Sequence, residues 1–234
     1  MLVYGRNVAE RMFKDQKLLK KVRKIYIEDN YLKKIENLLD EFSKKKIKIV
    51  QKYELDNLCS SNHQGIVIDM EDYQYTSLSS FLKKDGKFVL ILDHILDPHN
   101  LGAIIRTAVA ASVDAVIIPN DRQVLVNSTV VKTSVGAVFD IDIILVSNIN
   151  STLNTLKDNG YWVYGSVMNG DNYTEVDYSG KVALIIGNEE KGISKLVKDN
   201  CDFLITIPIN SCIDSLNASV AAGIMIYEVV RSRK

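Results

Sequence analysis

The polar residues of "IPINSCIDSLNASVAAGIMIYEVV" (207–230) stand at the mouth of a run that otherwise reads as core. Asp214, Ser215, Asn217 and Ser219 alternate with Leu216, Val220 and Ile224. Unpaired buried amides and hydroxyls cost about 1–3 kcal/mol each, so partners are expected for them. A helix cap accounts for Ser215 or Asp214, and Ala218, Ala221, Ala222 and Gly223 allow another backbone to come close. Neither accounts for Asn217 and Ser219 as well. Two further polar clusters follow strand-like runs. In "HILDPHNLGAIIRTAVAA", Asp97-Pro98 sets a turn and Asn100 is a candidate cap. Arg106 follows in the second turn of an apolar helix, where it either snorkels to solvent or serves a ligand. In "GNEEKG", Gly187 and Gly192 bracket a tight loop that is either an ordinary surface turn or a backbone cradle. Side chains of these types need hydrogen-bonding partners, and a ligand at the strand ends would supply them.

Several chemistries are excluded by pattern. No Gly-Lys-Ser/Thr follows the glycine loop, no G-x-G-x-x-G follows the first apolar strand, and no G-x-S-x-G occurs. The three histidines (His63, His94, His99) lack metal-ligand spacing, so no metal is expected, and His99 alone reads as a turn residue more readily than as a base.

The elements that must position these clusters fall into two parts. From 88 onward "FVLILD", "AVIIP", "DIILV", "YWVYGSV", "VALIIG" and "FLITIP" alternate with helices near 100–112, 128–137, 151–159, 192–199 and 216–231. Their barely alternating Val/Ile/Leu character predicts a parallel sheet covered by helices on both faces, an α/β fold. Ligands of such a sheet gather outside the carboxyl ends of the strands, where all three clusters fall. Residues 1–74 read as a smaller α/β unit with helices over 7–19, 31–45 and 54–60 and strands at 24–28, 47–51 and 65–70. The polar stretch 75–87 is the expected linker, and 88–234 the second domain.

Cys59, Cys201 and Cys212 form no C-x-x-C pair, which fits a reduced compartment. No signal-peptide core and no apolar run long enough for a bilayer are present, so a soluble, cytoplasmic protein is expected. The net charge is zero, yet residues 1–52 hold 15 Lys/Arg against 7 Asp/Glu, while residues 88–234 hold 11 against 16. The basic front end is either a solvated surface or a local anion-binding field.

Taken in order, "LDHILDPHNLGAIIRTAVAASVDAVIIP", "LIIGNEEKGIS" and "IPINSCIDSLNASVAAGIMIYEVVR" resemble motifs one, two and three of the SpoU/TrmH family of RNA ribose 2′-O-methyltransferases, over roughly residues 88–232. "VYGRNVAERM" is similar to the start of the ribosomal-protein-like substrate-binding domain in the branch that methylates a guanosine of large-subunit (23S) rRNA. The resemblance implies a deep trefoil knot in the second domain, S-adenosylmethionine as cofactor, no metal, and a homodimer with its active site at the subunit boundary. It implies that Gly187, Glu189, Gly192, Ile207, Leu216 and Asn217 bind the cofactor. Asn100, Arg106, Glu189, Ser215 and Asn217 match the catalytic positions, and Ser219 is left to helix packing or backbone bonding. The implied partner is RNA, with ribosomal RNA ahead of transfer RNA. A catalytically idle RNA-binding assembly factor is the reading from another class. One departure is "NSCID" before Ser-Leu-Asn, where relatives often carry glycines.

Overall fold

A computed structural model describes residues 1–39, 41–188, 190–210, 212 and 215–233, with the side chains of Glu41 and Phe42 outside the description. The chain forms two compact units, 1–74 with 126–136, and 75–125 with 137–234.

The first unit runs β1 (Leu2–Tyr4), α1 (Arg6–Lys14), α2 (Gln16–Lys21), β2 (Val22–Ile27), α3 (Asp29–Ile35), a 3₁₀ turn (Glu36–Leu38), α4 (Glu41–Lys44), β3 (Ile47–Ile49), α5 (Lys52–Leu58) and β4 (Ile66–Met70). Its sheet has the order β1-β4-β2-β3, with β1 and β2 antiparallel to β4 and β3 parallel to β2. The single helix expected over 7–19 is two. Asp15 leaves the helical region and its carboxylate accepts the Lys17 and Leu18 N–H groups at 2.7 and 3.3 Å, capping the second helix. The long helix expected over 31–45 is interrupted where Leu39 turns extended. Val8, Met12, Leu18, Leu19, Ile35 and Leu39 are buried, as their spacing predicts.

The second unit begins inside the stretch expected to be linker. Thr76 bridges Ile144, Ser77 caps α6 (Leu78–Leu82), and Phe81 is 1% exposed. There follow β5 (Phe88–Asp93), α7 (Pro98–Ala110), β6 (Ala115–Pro119), α8 (Ser128–Thr133), a 3₁₀ turn (Ala137–Phe139), β7 (Asp142–Val146), α9 (Ile149–Asp158), β8 (Tyr161–Asn172), β9 (Lys181–Gly187), α10 (Lys195–Asp199), β10 (Phe203–Thr206) and α11 (Ala218–Ser232). All six strands are parallel in the order β10-β8-β9-β5-β6-β7. Every residue of β5 and β6 is buried, which is why their sequences show no alternation. The exception to this unit is α8. It packs in the first unit, where the Lys132 ammonium donates to the Asn62 carbonyl and lies 4.7 Å from the Tyr4 ring centroid.

From β5 the chain moves outward to β6 and β7, then reverses to the far side through β8. The reversal falls between β5 and β9, whose last paired residues are Asp93 and Gly187. Such a switch point leaves a crevice at the strand carboxyl ends. Among the described residues no helix is long and apolar enough to cross a membrane.

Candidate active site

Gly187 ends β9, and the loop after it folds back at once. Asn188 and Gly192 exchange backbone hydrogen bonds of 3.2 and 2.8 Å, while the Asn188 side-chain oxygen accepts from the Glu190 and Lys191 N–H groups. Gly192 takes φ +63, a left-handed conformation that favours glycine. Gly187 is needed for a different reason. A Cβ there would lie 2.2 Å from the Gly192 carbonyl carbon, so the loop can close only on a residue without one.

Opposite this loop, β8 loses its register with β10. Leu204 pairs with Gly165 but Ile205 pairs with Asp171, so residues 166–170 bulge out of the ladder. Gly165 and Gly170 flank the bulge where a Cβ would strike the Cys201 sulfur at 2.6 Å or the Leu204 carbonyl oxygen at 2.5 Å. Bulge, loop, the end of β10 and the start of α11 enclose a cleft of about 500 Å³. Gly187, Gly192, Ile207, Ser215 and Leu216 all line it. Val167, Met168, Thr206, Ile209 and Met225 line it too, and sequence reasoning missed them. The isolated glycines in the β8 run were the available signal, since a glycine inside a strand marks a bulge or a close approach.

Asn217 sits at the cleft edge with each of its side-chain polar atoms committed. Its oxygen accepts from the Ser219 N–H and hydroxyl at 3.0 and 2.6 Å and from the Val220 N–H at 3.4 Å, so Asn217 is the cap of α11. That corrects the expectation of a Ser215 cap; Asp214, the other candidate, lies outside the described residues. Its amide nitrogen donates to the Asn100 side-chain oxygen at 3.0 Å, tying α11 to α7 across 117 residues of sequence. Asn100 is not the cap of α7. Asp97 is, accepting from the His99 N–H at 2.9 Å, with Pro98 in the first turn, and this lets the Asn100 side chain reach across.

Arg106 is exposed and makes no hydrogen bond or ion pair among the described residues. It lies six positions beyond Asn100, so at about 100° per residue the two point about 120° apart. The structure therefore brings Asn100 and Asn217 together, places Ser215 on the cleft without Asn100, Asn217 or Arg106 among its lining residues, and leaves Arg106 on the outer face of α7. Glu189 lies outside the described residues. Among the described residues no three His, Cys, Asp or Glu side chains converge to hold a metal ion.

A cleft of this size with apolar walls from Val167, Ile207, Leu216 and Met225 suits a nucleoside. Asn188, Glu190 and Lys191 of the loop, with Ser166 and Asn169 of the β8 bulge, supply the polar edge. S-adenosylmethionine fits that description.

Comparison with known proteins decides the family. Residues 87–227 match the model of the SpoU rRNA Methylase family, and residues 2–76 match "RNA 2′-O ribose methyltransferase substrate binding". The chain belongs to the SpoU methylase family. Membership makes it an S-adenosylmethionine-dependent RNA methyltransferase. A Putative TrmH family tRNA/rRNA methyltransferase of Staphylococcus saprophyticus is 44% identical over 221 residues, 91% of this chain and 89% of that one. The AdoMet-bound rRNA methyltransferase of Sinorhizobium meliloti superposes with a TM-score of 0.82 at 25% identity, over 98% of this chain and 86% of that one. The SpoU methyltransferase AviRb of Streptomyces viridochromogenes shares the fold, with a TM-score of 0.78 at 22% identity over 100% and 90% of the two chains.

Proposed function

We propose that this SpoU methylase transfers the methyl group of S-adenosylmethionine to the ribose 2′-hydroxyl of a guanosine in large-subunit ribosomal RNA. The observation that carries the reading is the convergence of Gly187, Gly192, Ile207, Ser215 and Leu216 on one cleft at the strand carboxyl ends. The matched substrate-binding segment and the basic surplus of residues 1–52 support RNA as partner, because phosphate contacts supply most of the affinity. Transfer RNA is the same-class alternative, and the TrmH relatives carry both substrates in their names. An idle assembly factor is disfavoured by the polar set Asn100, Arg106, Ser215 and Asn217.

When bound, the cofactor supplies an electrophilic methyl group on a sulfonium. The chain supplies alignment and charge. Ile207 and Leu216 form the apolar wall, and the 188–192 loop presents backbone groups. The Asn100–Asn217 bridge fixes the start of α11, and with it the Ser215 hydroxyl, against the cleft. Arg106 acts on the ribose and its phosphate. A guanidinium is a cationic donor with no acceptor, so the role proposed for Arg106 is to clamp phosphate and stabilise the developing alkoxide. Its outward placement on α7 calls for a second protomer. The exposed stripe Val220, Tyr227 on α11 (49% and 51% exposed), beside the half-buried Ile224, is the apolar face on which a homodimer would close and deliver it. In the same reading the C-terminal segment is threaded as a trefoil knot.

The test is methyl transfer from labelled S-adenosylmethionine to total RNA from cells lacking the gene, separated by size and digested to nucleosides. The expected product is a 2′-O-methylguanosine in large-subunit rRNA. Arg106→Ala is expected to lose at least about 100-fold in turnover with cofactor binding intact. Label in tRNA would overturn the substrate, and an Arg106→Ala protein with near-normal turnover would overturn the role of Arg106.

A further inference from the structure

On the other side of the 188–192 loop lies a second cleft, of about 680 Å³, which no part of the cofactor chemistry uses. It spans the carboxyl ends of β5, β6 and β7 and shares Asn188, Glu190, Lys191 and Gly192 with the cofactor cleft, so the one loop walls both. Three features mark it as built. Its floor is a dyad. Asp93, 1% exposed, holds the His94 ring by its Nδ1 at 2.5 Å and accepts the Ser194 N–H at 2.7 Å with its other oxygen. A carboxylate on Nδ1 fixes the tautomer and leaves Nε2 of a neutral ring as an acceptor, with no partner among the described residues. His94 is also held at φ +65, and its carbonyl accepts from the Asn188 side chain at 3.1 Å. A left-handed non-glycine residue costs about 1–2 kcal/mol, and such strain gathers at functional sites. Finally, the rim carries Leu96 and Leu196, 60% and 73% exposed, beside Lys191 and Lys195, which form no ion pair among the described residues.

We infer that this second cleft binds a nucleotide of the substrate RNA, its base against Leu96 and Leu196, its phosphate on Lys191 and Lys195, and a base or ribose donor on His94 Nε2. Apolar side chains beside free ammonium groups match a nucleotide's flat base and its phosphate better than a peptide or a purely anionic ligand. The acidic lining is largely committed: Asp93 to His94 and Ser194, and Asp121 to Arg122 at 3.0 Å, with only Glu190 unpaired among the described residues. The position fits as well. A nucleotide here and a cofactor across the loop would both press on residues 188–192, so RNA can seat the loop on the cofactor. The inference rests on RNA being the substrate.

His94→Gly removes the imidazole and suits the left-handed backbone, so its cost falls on the buried Asp93, which keeps the Ser194 N–H on its other oxygen. His94→Asn also tolerates that backbone and restores a hydrogen-bonding group. Leu196→Asp and Lys195→Ala test the rim. RNA binding is read by filter retention of labelled total ribosomal and transfer RNA, independently of turnover, and cofactor binding by calorimetry. Leu196→Asp and His94→Gly are each expected to weaken RNA binding about tenfold, the loss of one apolar contact or one hydrogen bond, with cofactor affinity unchanged and His94→Asn recovering part of the loss. Unchanged RNA binding in all the variants overturns the proposal, as does a loss of cofactor affinity instead. A wild-type protein that retains RNA but labels none would refute the methyl-transfer reading while leaving the cleft's occupant decided by the same filter experiment.

Discussion

An alanine at position 187 would press a methyl carbon into the loop that closes the cleft proposed for the cofactor. The ideal Cβ falls 2.2 Å from the Gly192 carbonyl carbon, 2.4 Å from the Ile193 nitrogen and 2.5 Å from the Gly192 oxygen. All three are backbone atoms, which cannot swing aside as a side chain would. Carbon contacts are relaxed at about 3.5–4.0 Å, so the loop must retreat by more than about 1 Å. The bonds exchanged by Asn188 and Gly192, at 3.2 and 2.8 Å, do not survive such a shift. Two backbone bonds at about 0.5–1.5 kcal/mol each give a loss of about 1–3 kcal/mol, or about 5- to 150-fold in affinity for S-adenosylmethionine. Two other glycines separate this steric effect from backbone strain. Gly180 and Gly192 have φ +78 and +63 with no heavy atom within 4 Å of where an alanine methyl would sit, so alanine costs only left-handed strain of about 1–2 kcal/mol. Calorimetric titration of cofactor and thermal unfolding are measured on all three variants. Gly180→Ala, remote from the cleft, should lower the melting temperature without touching affinity. Gly187→Ala should lose affinity first. A Gly187→Ala protein that binds cofactor within about twofold of wild type would refute the argument that the loop is seated by that contact.

Two further outcomes follow from the same structure. Asn217→Asp keeps the acceptor that caps α11 but loses the donor to Asn100 and sets two oxygens against each other, so thermal stability should hold while turnover falls at least about tenfold; Asn217→Ala should also lose about 1 kcal/mol of stability, and an active Asn217→Asp enzyme would show that the bridge to Asn100 is dispensable. Burial raises the Cys201 thiol from 9.0 to about 12 and the Tyr161 and Tyr164 phenols from 10.0 to about 12, so their neutral forms favour the folded state. That stability is complete below the unfolded values and is lost as pH rises through the folded ones. Melting temperature should be level with respect to these groups up to pH 9.0 and fall between there and about 12; a flat profile across that window would contradict it.

The strands of the second unit were legible because burial on both faces writes itself as unbroken Val, Ile and Leu: "FVLILD", "AVIIP" and "DIILV" are β5, β6 and β7 to the residue. The helices were legible in existence and less so at their ends, since their caps are decided across the fold. Asp97 rather than Asn100 caps α7, and Asn100 instead bonds Asn217, a partner that no local pattern reveals. Periodicity also overran the breaks at Asp15 and Leu39, where one extended residue ends a helix whose apolar spacing continues. α8 shows a further limit. Its sequence belongs to the βα alternation of the second unit, but Lys132 bonds Asn62 and covers Tyr4, so contacts far apart in sequence assign it to the first. At the candidate site the motif residues were legible by type, and the apolar half of the cleft was not. Val167 and Met168 reach it where β8 and β10 slip register between Leu204 and Ile205, a displacement permitted by the close approaches that Gly165 and Gly170 allow. His94 was passed over for the converse reason. A histidine in a turn is ordinary by sequence, and it becomes informative only with φ +65 and a buried carboxylate on its Nδ1. Both examples place the missing information in backbone geometry: the chain advertises which groups can do chemistry, while small local departures from ideal strands and turns determine which of them meet a ligand.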